Sequence, residues 1–363
     1  MANAITSAAK KYPVRTALVL TAVVFFYCLI FVLPLVEISR KLMPIPTFLI
    51  TLLAVAPILG RLSFEYWPSE RSRFISRIVM TWAGICFLYG SLRFATEILE
   101  FLFIQNADSL WALKTALGLG FVLSVYSVLN ALKLRTNTIH LKSPKLNKTY
   151  NLVQISDVHL GSRSPSFLPK ILDEVESNSP DLLLITGDFI DMNGITVEDL
   201  APLRQVSVPI YFIIGNHERY VHLDKILANL AEVGVNILRN TSELWQDIEL
   251  IGIDDAERKD KVKRELPHIN RQPEKFQLLM YHRPDGFSFA AESGVDLMLC
   301  GHTHNGQIIP FNFLVKRVFK RIHGLYTIKD SHLYVSPGTG TWGPVMRLGS
   351  HNEVTKIILT PDQ

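Results

Sequence analysis

Five times after Tyr150, a short apolar run stops on a residue able to bind a metal ion. Tyr150 to Ser156 leads to Asp157-Val158-His159, and Asp181 to Thr186 leads to Gly187-Asp188, with Asp191 soon after. Val208 to Ile214 leads to Gly215-Asn216-His217-Glu218, Lys275 to Tyr281 to His282-Arg283-Pro284, and Val295 to Leu299 to Gly301-His302-Thr303-His304. Runs of this kind, alternating with helical stretches such as Ser166 to Ser177, are the pattern of an α/β sheet with buried, mostly parallel strands. Further strands are expected at Ile248 to Ile253, Leu333 to Ser336 and Val354 to Leu359. In open α/β sheets, ligands bind in the crevice beyond the carboxyl ends of the strands. That rule places all five polar groups around one crevice.

Each fragment has an ordinary structural reading: a turn with a surface histidine, a helix cap, or a satisfied core histidine. Five in succession, each closing an apolar run, point instead to a shared site. Residues two apart in an extended segment face the same side, so Asp157 and His159 are expected to converge, as are His302 and His304. The donor set is His, Asp and Asn without Cys, which suits Mn, Fe, Zn, Co or Ni in two adjacent sites rather than a closed structural zinc. Divalent or trivalent ions so held support in-line attack on phosphorus by a bridging hydroxide.

The first third of the chain is different. Of its 363 residues 48% are apolar, and the excess lies before residue 136 in four stretches. These are Thr16 to Val36, Ile45 to Leu59 (short, with Pro46 and Pro57), Phe74 to Leu92 and Leu110 to Leu132. A span needs about 20 apolar residues, so residues 1–135 read as a transmembrane anchor of about four helices. The first run is longer than a signal-peptide core and lacks a small-residue cleavage pattern. Phe94 to Ile104, with Glu97 and Glu100, reads as an interfacial helix. With four spans, one side carries twelve flanking Lys and Arg, beginning with Lys10, Lys11 and Arg15, and the other four. The positive-inside rule then puts both termini in the cytoplasm, at a cell (inner) membrane. Residues 136–148, polar and basic with Pro144, read as a linker, and residues 149–363 as the catalytic domain.

Three dispersed cysteines, Cys28, Cys86 and Cys300, exclude a disulfide framework and a cysteine zinc site. A net charge of +4 fits a chain beside anionic lipid, and no basic groove interleaved with aromatics is legible, so no nucleic-acid partner is expected. Oligomeric state is not legible. After Gly306, apolar Phe311, Leu314, Val315, Val318, Phe319 and Ile322 oppose Lys316, Arg317, Lys320 and Arg321, the pattern of a basic amphipathic helix lying in a membrane interface.

From Tyr150 onward the sequence resembles the calcineurin-like metallophosphoesterases, most closely a membrane-anchored bacterial, YkuE-type branch, with the five motifs in the family's order. The resemblance implies a sandwich of two packed β-sheets flanked by helices. It implies that Asp157, His159 and His304 bind one metal, that Asp188 bridges two, and that Asn216, His282 and His302 complete the second site. His217 is implied to contact the scissile phosphate and the leaving group, and Glu218 to orient its loop. Asn305 stands where the family often has glycine. Arg163 and Arg283 are candidate phosphate partners, and Asp254 and Asp255 lie at another strand end. The expected function is a metal-dependent phosphoesterase acting on a phosphate ester or pyrophosphate, with a lipid-linked or membrane-proximal substrate such as a lipid A precursor, or a small phosphorylated molecule. The alternatives are a membrane regulator that binds a phosphorylated ligand with little or no turnover, or a protein phosphatase. Substituting His217 separates enzyme from regulator.

Overall fold

The computed structural model describes residues 13–67, 69–103 and 110–362. Lys10 and Lys11, counted above for orientation, lie outside the described residues, as does Ile104.

Two six-stranded mixed sheets face each other. The first has the order β1 (Leu134–Ser143), β12 (Asn352–Pro361), β2 (Tyr150–Ile155), β3 (Leu182–Ile185), β4 (Ile210–Phe212) and β5 (Asn236–Ile237). The second has the order β10 (Gly324–Ile328), β11 (Ser331–Val335), β9 (Leu297–Cys300), β8 (Phe276–Tyr281), β7 (Ile248–Ile253) and β6 (Thr241–Trp245). β2 to β5 run parallel, as do β7, β8, β9 and β11, so within each sheet the strands that precede the five motifs end on one edge. β12, the predicted Val354 to Leu359 strand, instead runs antiparallel to β2. Alternation along each strand builds the layers. Leu152 and Leu184 point into the core between the sheets with Leu250, Leu278, Met280 and Leu299. Their neighbours Val153, Ile155, Leu183 and Ile185 point outward beneath helices α6 (Leu168–Ser177) and α7 (Leu223–Glu232). The second sheet's outer face packs on α8 (Phe287–Glu292) through Phe287 and Ala290.

Three expectations change. The stretch taken as a linker contains β1, which pairs with β12 over its whole length, Leu134 to Ser143 against Asn352 to Pro361. Its alternation is hidden among Lys, Asn and Thr: Ile139, Leu141 and Ser143 are buried, while the residues between them are exposed. The helical stretch expected to lie at the interface is continuous with the span before it, in one helix from Glu70 to Phe103. The second apolar stretch forms a helix, Thr47–Tyr66, but its apolar part, Thr47–Ser63, is short. Among the described residues, Ala17–Lys41, Glu70–Phe103 and Trp111–Ala131 are long and apolar enough to cross a bilayer, by length and composition.

These helices do not hang free of the domain. Trp111–Ala131 ends two residues before β1, and its Asn130 donates to the carbonyls of Arg347 (3.1 Å) and Ser350 (2.9 Å). The Val345 N–H donates to Thr81 Oγ1 of the preceding helix, and a Cβ on Gly84 would stand 2.7 Å from Met346 Sδ. The apolar helices thus rest on residues 343–350, the outer side of a loop whose inner side faces the metal-binding residues.

Candidate metal centre

The loops that follow β2, β3, β4, β8 and β9 converge, and each supplies what its motif promised. Asp157, His159 and His304 form one group of potential ligands, and Asp188, His282 and His302 a second. Nε2 of His304 is 3.3 Å from Asp157 Oδ1 and 3.0 Å from Nε2 of His159. Nε2 of His282 is 3.1 Å from Asp188 Oδ2 and 3.9 Å from Asp157 Oδ1. Asp188 also reaches toward the first group, 4.0 Å from His159 Nε2. Asn216 sits between Gly215, packed on Asp188, and His217, whose N–H donates to Asp188 Oδ1 at 2.8 Å.

The convergence does not come from strand alternation. Asp157, His159, Asp188, His302 and His304 all have φ between 50° and 71°, the left-handed region. Such backbone costs of order 1–3 kcal/mol per residue and persists where surrounding structure over-determines it. Here Asp157 is held by donation from its N–H to the Gly187 carbonyl, and His159 by donation to the Asp188 carbonyl. The loops approach so closely that Gly215 has no room for a side chain: a Cβ there would stand 2.2 Å from Asp188 Oδ1. Gly215→Ala is therefore expected to displace Asp188 and lower kcat/KM on a soluble chromogenic ester by about 100-fold. A change under threefold would show that the close approach is dispensable.

Charges in the centre oppose one another. Burial would raise the Asp188 carboxyl, but the imidazoles of His282, His217 and His159 outweigh it and hold it well below the usual range. Burial disfavours charge on His282, yet the Asp188 and Asp157 carboxylates raise it to about 10. Burial and neighbouring imidazoles push His302 and His304 well below the ordinary histidine value. Burial lowers His217 to about 4, against the pull of Asp188. The carboxylates thus call for positive charge, which the imidazoles supply only by taking up protons.

A divalent cation fits the centre better. Asn216 Oδ1 and His282 Nε2 are buried without hydrogen-bond partners, a state that costs free energy unless another ligand is bound. The opposite ring nitrogen of His282 faces the Thr186 carbonyl at 2.8 Å, so Nδ1–H donates there and leaves the Nε2 lone pair aimed into the centre. Asp191, wholly enclosed, lies 3.3 Å from Nδ1 of His159 and accepts from the Ser162 N–H at 2.9 Å, an orienting carboxylate behind a ligand histidine. Mixed His, Asp and Asn donors match first-row divalent ions.

The family described as "Calcineurin-like phosphoesterase" matches residues 150–306. The chain is 34% identical over 253 residues to a metallophosphoesterase of Campylobacter jejuni, a match covering 66% of this chain and 68% of that one. It is 32% identical over 291 residues to a metallophosphoesterase of Helicobacter pylori, covering 75% and 77%. It is 31% identical over 274 residues to a transmembrane protein with a metallophosphoesterase domain from Danio rerio, covering 67% and 62%.

This chain is a calcineurin-like metallophosphoesterase. It is accordingly a metal-dependent phosphoester hydrolase, and its long apolar helices suit it to association with a membrane. Within this metallophosphoesterase, six of the seven expected ligands fall in the two neighbouring groups, and Asn216 precedes His217 beside them. His217 lies as close as they do: it forms a further group with His159 and Asp188, its ring edge-on to His159 at 4.8 Å. Proximity alone therefore does not separate its role from theirs. Glu218 is fully buried and accepts from the N–H groups of Gly215 (2.8 Å), Asp188 (3.0 Å) and Ile190 (2.9 Å), tying two of the loops together.

Of the candidate phosphate partners, Arg283 is already paired within the protein, whereas the Arg163 guanidinium is buried with its Nε unpartnered. Arg283 forms a two-pronged pair with Asp255, at 2.7 and 3.2 Å, and Asp254 pairs with Arg239 at 2.7 Å. Arg163 is buried with its guanidinium over the Phe167 ring at 3.9 Å. Sequence reasoning missed Arg347, which is fully buried, donates to the His304 carbonyl at 3.0 Å and places Nη2 3.3 Å from His304 Nδ1. It lies 43 residues from His304, beyond the matched region, and no local pattern marks it.

Proposed function

We propose that this metallophosphoesterase hydrolyses a phosphate ester or pyrophosphate bond of a lipid-linked or membrane-proximal substrate. Two divalent ions would be held by Asp157, His159 and His304 and by Asn216, His282 and His302, with Asp188 between them. Such ions supply Lewis acidity to phosphoryl oxygens and acidify water for attack at neutral pH. His217, uncharged at neutral pH, would offer a ring N–H to the phosphate or leaving oxygen, and Asp188 would hold its backbone in place. Glu218 and Asp191 would keep the loops and the His159 ring in register.

The observation that carries the lipid reading is the apolar character of the site's rim and its continuity with the membrane helices. Trp342, half exposed, and Tyr220 flank the His217 ring at 5.8 and 5.6 Å, and Phe319 stands 5.2 Å from His302. Next to them, helix α9 (Phe311–Val318) leaves Phe311, Phe313, Leu314 and Val318 exposed, and Phe311 meets Phe87 of a long apolar helix edge-on. An exposed apolar patch beside a catalytic centre marks a surface that binds something apolar. The helix is shorter than the sequence implies. Phe319 is extended, Ile322 is buried, and Arg321 lies over Phe287 and Tyr326 rather than on the membrane-facing side. Lys316 and Arg317 in its last turn, with Lys320 following, remain to meet lipid headgroups.

We further propose that, with the shorter helix Thr47–Tyr66 as a fourth span, this centre lies at the cytoplasmic face of a multi-pass inner-membrane protein, on the bias of Lys and Arg in the flanks; three spans would put it on the other side. The test of the substrate class compares a lipid pyrophosphate in mixed micelles with a soluble chromogenic diester. The lipid is expected to give a kcat/KM at least about tenfold higher, and Lys316→Glu with Arg317→Glu to lower that value alone, each charge near the surface contributing about 1 kcal/mol. Equal rates on both substrates, unaffected by the paired substitution, would sink the lipid reading and leave the phosphoesterase itself intact.

A further inference from the structure

A second group of ligand-type side chains lies apart from the catalytic centre. His351 and Glu353 flank Asn352 where β12 begins, and His323 belongs to the segment between α9 and β10. Residues two apart at the start of a strand face one side; Asn352 turns the other way and donates to the Ala131 carbonyl. The three ligand atoms lie within 4.8 Å of one another. From Glu353 Oε2, His351 Nε2 is 3.2 Å away and His323 Nε2 3.8 Å away. Around a tetrahedral zinc, with bonds of about 2.0–2.2 Å, neighbouring ligand atoms stand roughly 3.3–3.5 Å apart, and the observed separations bracket that value.

The surroundings are arranged as they are behind metal ligands. Glu353 is buried, and its other oxygen, Oε1, accepts from the Tyr334 hydroxyl at 2.5 Å and from Thr355 Oγ1 at 2.9 Å. Asn137 in turn donates to the Tyr334 oxygen at 2.6 Å. These bonds fix the carboxylate so that Oε2 faces the two imidazoles. His323 Nε2 is buried with no hydrogen-bond partner, although the carboxylate lies just beyond bonding range. The two histidine side chains are 33% and 27% exposed, which leaves a path of entry and room for a water as fourth ligand.

We infer that His323, His351 and Glu353 form an additional site for a zinc-type divalent cation, distinct from the catalytic centre. Its consequence is mechanical. The Thr303 hydroxyl, between His302 and His304, donates to the Ile322 carbonyl at 2.6 Å, and the Glu353 N–H donates to the Gly338 carbonyl at 3.0 Å. An ion joining His323 to Glu353 would brace the His302–His304 loop from behind. The inference does not depend on the lipid reading or on which ions occupy the catalytic centre.

The test uses the full chain in detergent, stripped with chelator and dialysed against Zn(II), with bound metal counted by elemental analysis. Parent protein is expected to bind one equivalent more than the His323→Ala, His351→Ala double variant. Reloading with Co(II) is expected to give a visible absorption band from a four-coordinate site that the double variant lacks. Tyr334→Phe, which keeps the packing and removes the hydroxyl that donates to Glu353 and accepts from Asn137, is expected to weaken this one equivalent by about 10-fold. Equal stoichiometry in parent and double variant overturns the site. So does a parent whose bound zinc is entirely lost on Asp157→Asn with Asp188→Asn, an outcome that leaves the catalytic centre standing. Should the double variant fail to fold, Tyr334→Phe decides alone, and unchanged zinc affinity there overturns the site.

Discussion

Replacing His217 by Ala is expected to lower the rate of phosphoester hydrolysis by about 10²–10⁴, the usual worth of a positioned acid–base group, while bound metal stays at the parental level. The basis is the role the family resemblance implies for His217, whose side chain lies beside the rings of Tyr220 and Trp342 at the rim of the centre. Its backbone N–H donates to Asp188 Oδ1, a contact that alanine preserves. Asn216→Ala should behave oppositely. It removes a buried, unpartnered Oδ1 on the residue before His217, so metal content should fall together with rate. Elemental analysis with steady-state kinetics on both variants separates the two roles. Loss of metal in His217→Ala would make His217 a ligand, and loss of rate in neither would return the chain to a binding role.

The second large effect concerns Glu218. Its two oxygens serve three buried N–H groups, those of Gly215, Asp188 and Ile190. Burial and the neighbouring Asp188 charge push its carboxyl upward, while the backbone donors from Ile190 and Gly215 pull it back. Alanine leaves three buried donors without acceptors and a cavity beside Asp188. A buried donor stripped of its partner costs about 1–3 kcal/mol, so with partial relaxation Glu218→Ala should cost about 3–5 kcal/mol. Melting of the catalytic domain should fall by on the order of 10 °C, with metal lost as the Asp188 and Asn216 loops part. Glu218→Gln keeps one acceptor oxygen and is expected to lie between. A shift under about 2 °C for the alanine variant would mean that water replaces the carboxylate.

Much of the catalytic centre was legible in the chain because each ligand ends an apolar run. Leu182 to Ile185 must be a buried strand, so Gly187-Asp188 must lie at its end, and a parallel neighbour brings Asn216 alongside. Asp157 and His159 converge through left-handed backbone rather than through strand alternation; Asp and His are enriched in that conformation, but too weakly for a local stretch of sequence to place it. Arg283 reads as available to a phosphate in the sequence because its partner, Asp255, is set by folding. The strand from Leu134 to Ser143 escaped notice because its outward face is polar on every second residue and its partner lies over 200 residues later.

The sequence by itself determined the residue types, the order of the strand ends, the metal-binding chemistry and the apolar segments, because each depends on composition or periodicity within a few residues. Tertiary structure decided which buried groups stand behind the ligands. Asp191 reaches His159, Glu218 joins the Asp188 and Gly215 loops, Arg347 grips His304, and His323 meets Glu353. It also decided that the long apolar helices rest on the loop carrying Arg347. These are contacts between segments that only the pairing of two sheets brings together, and their energies depend on burial that no local stretch of sequence records.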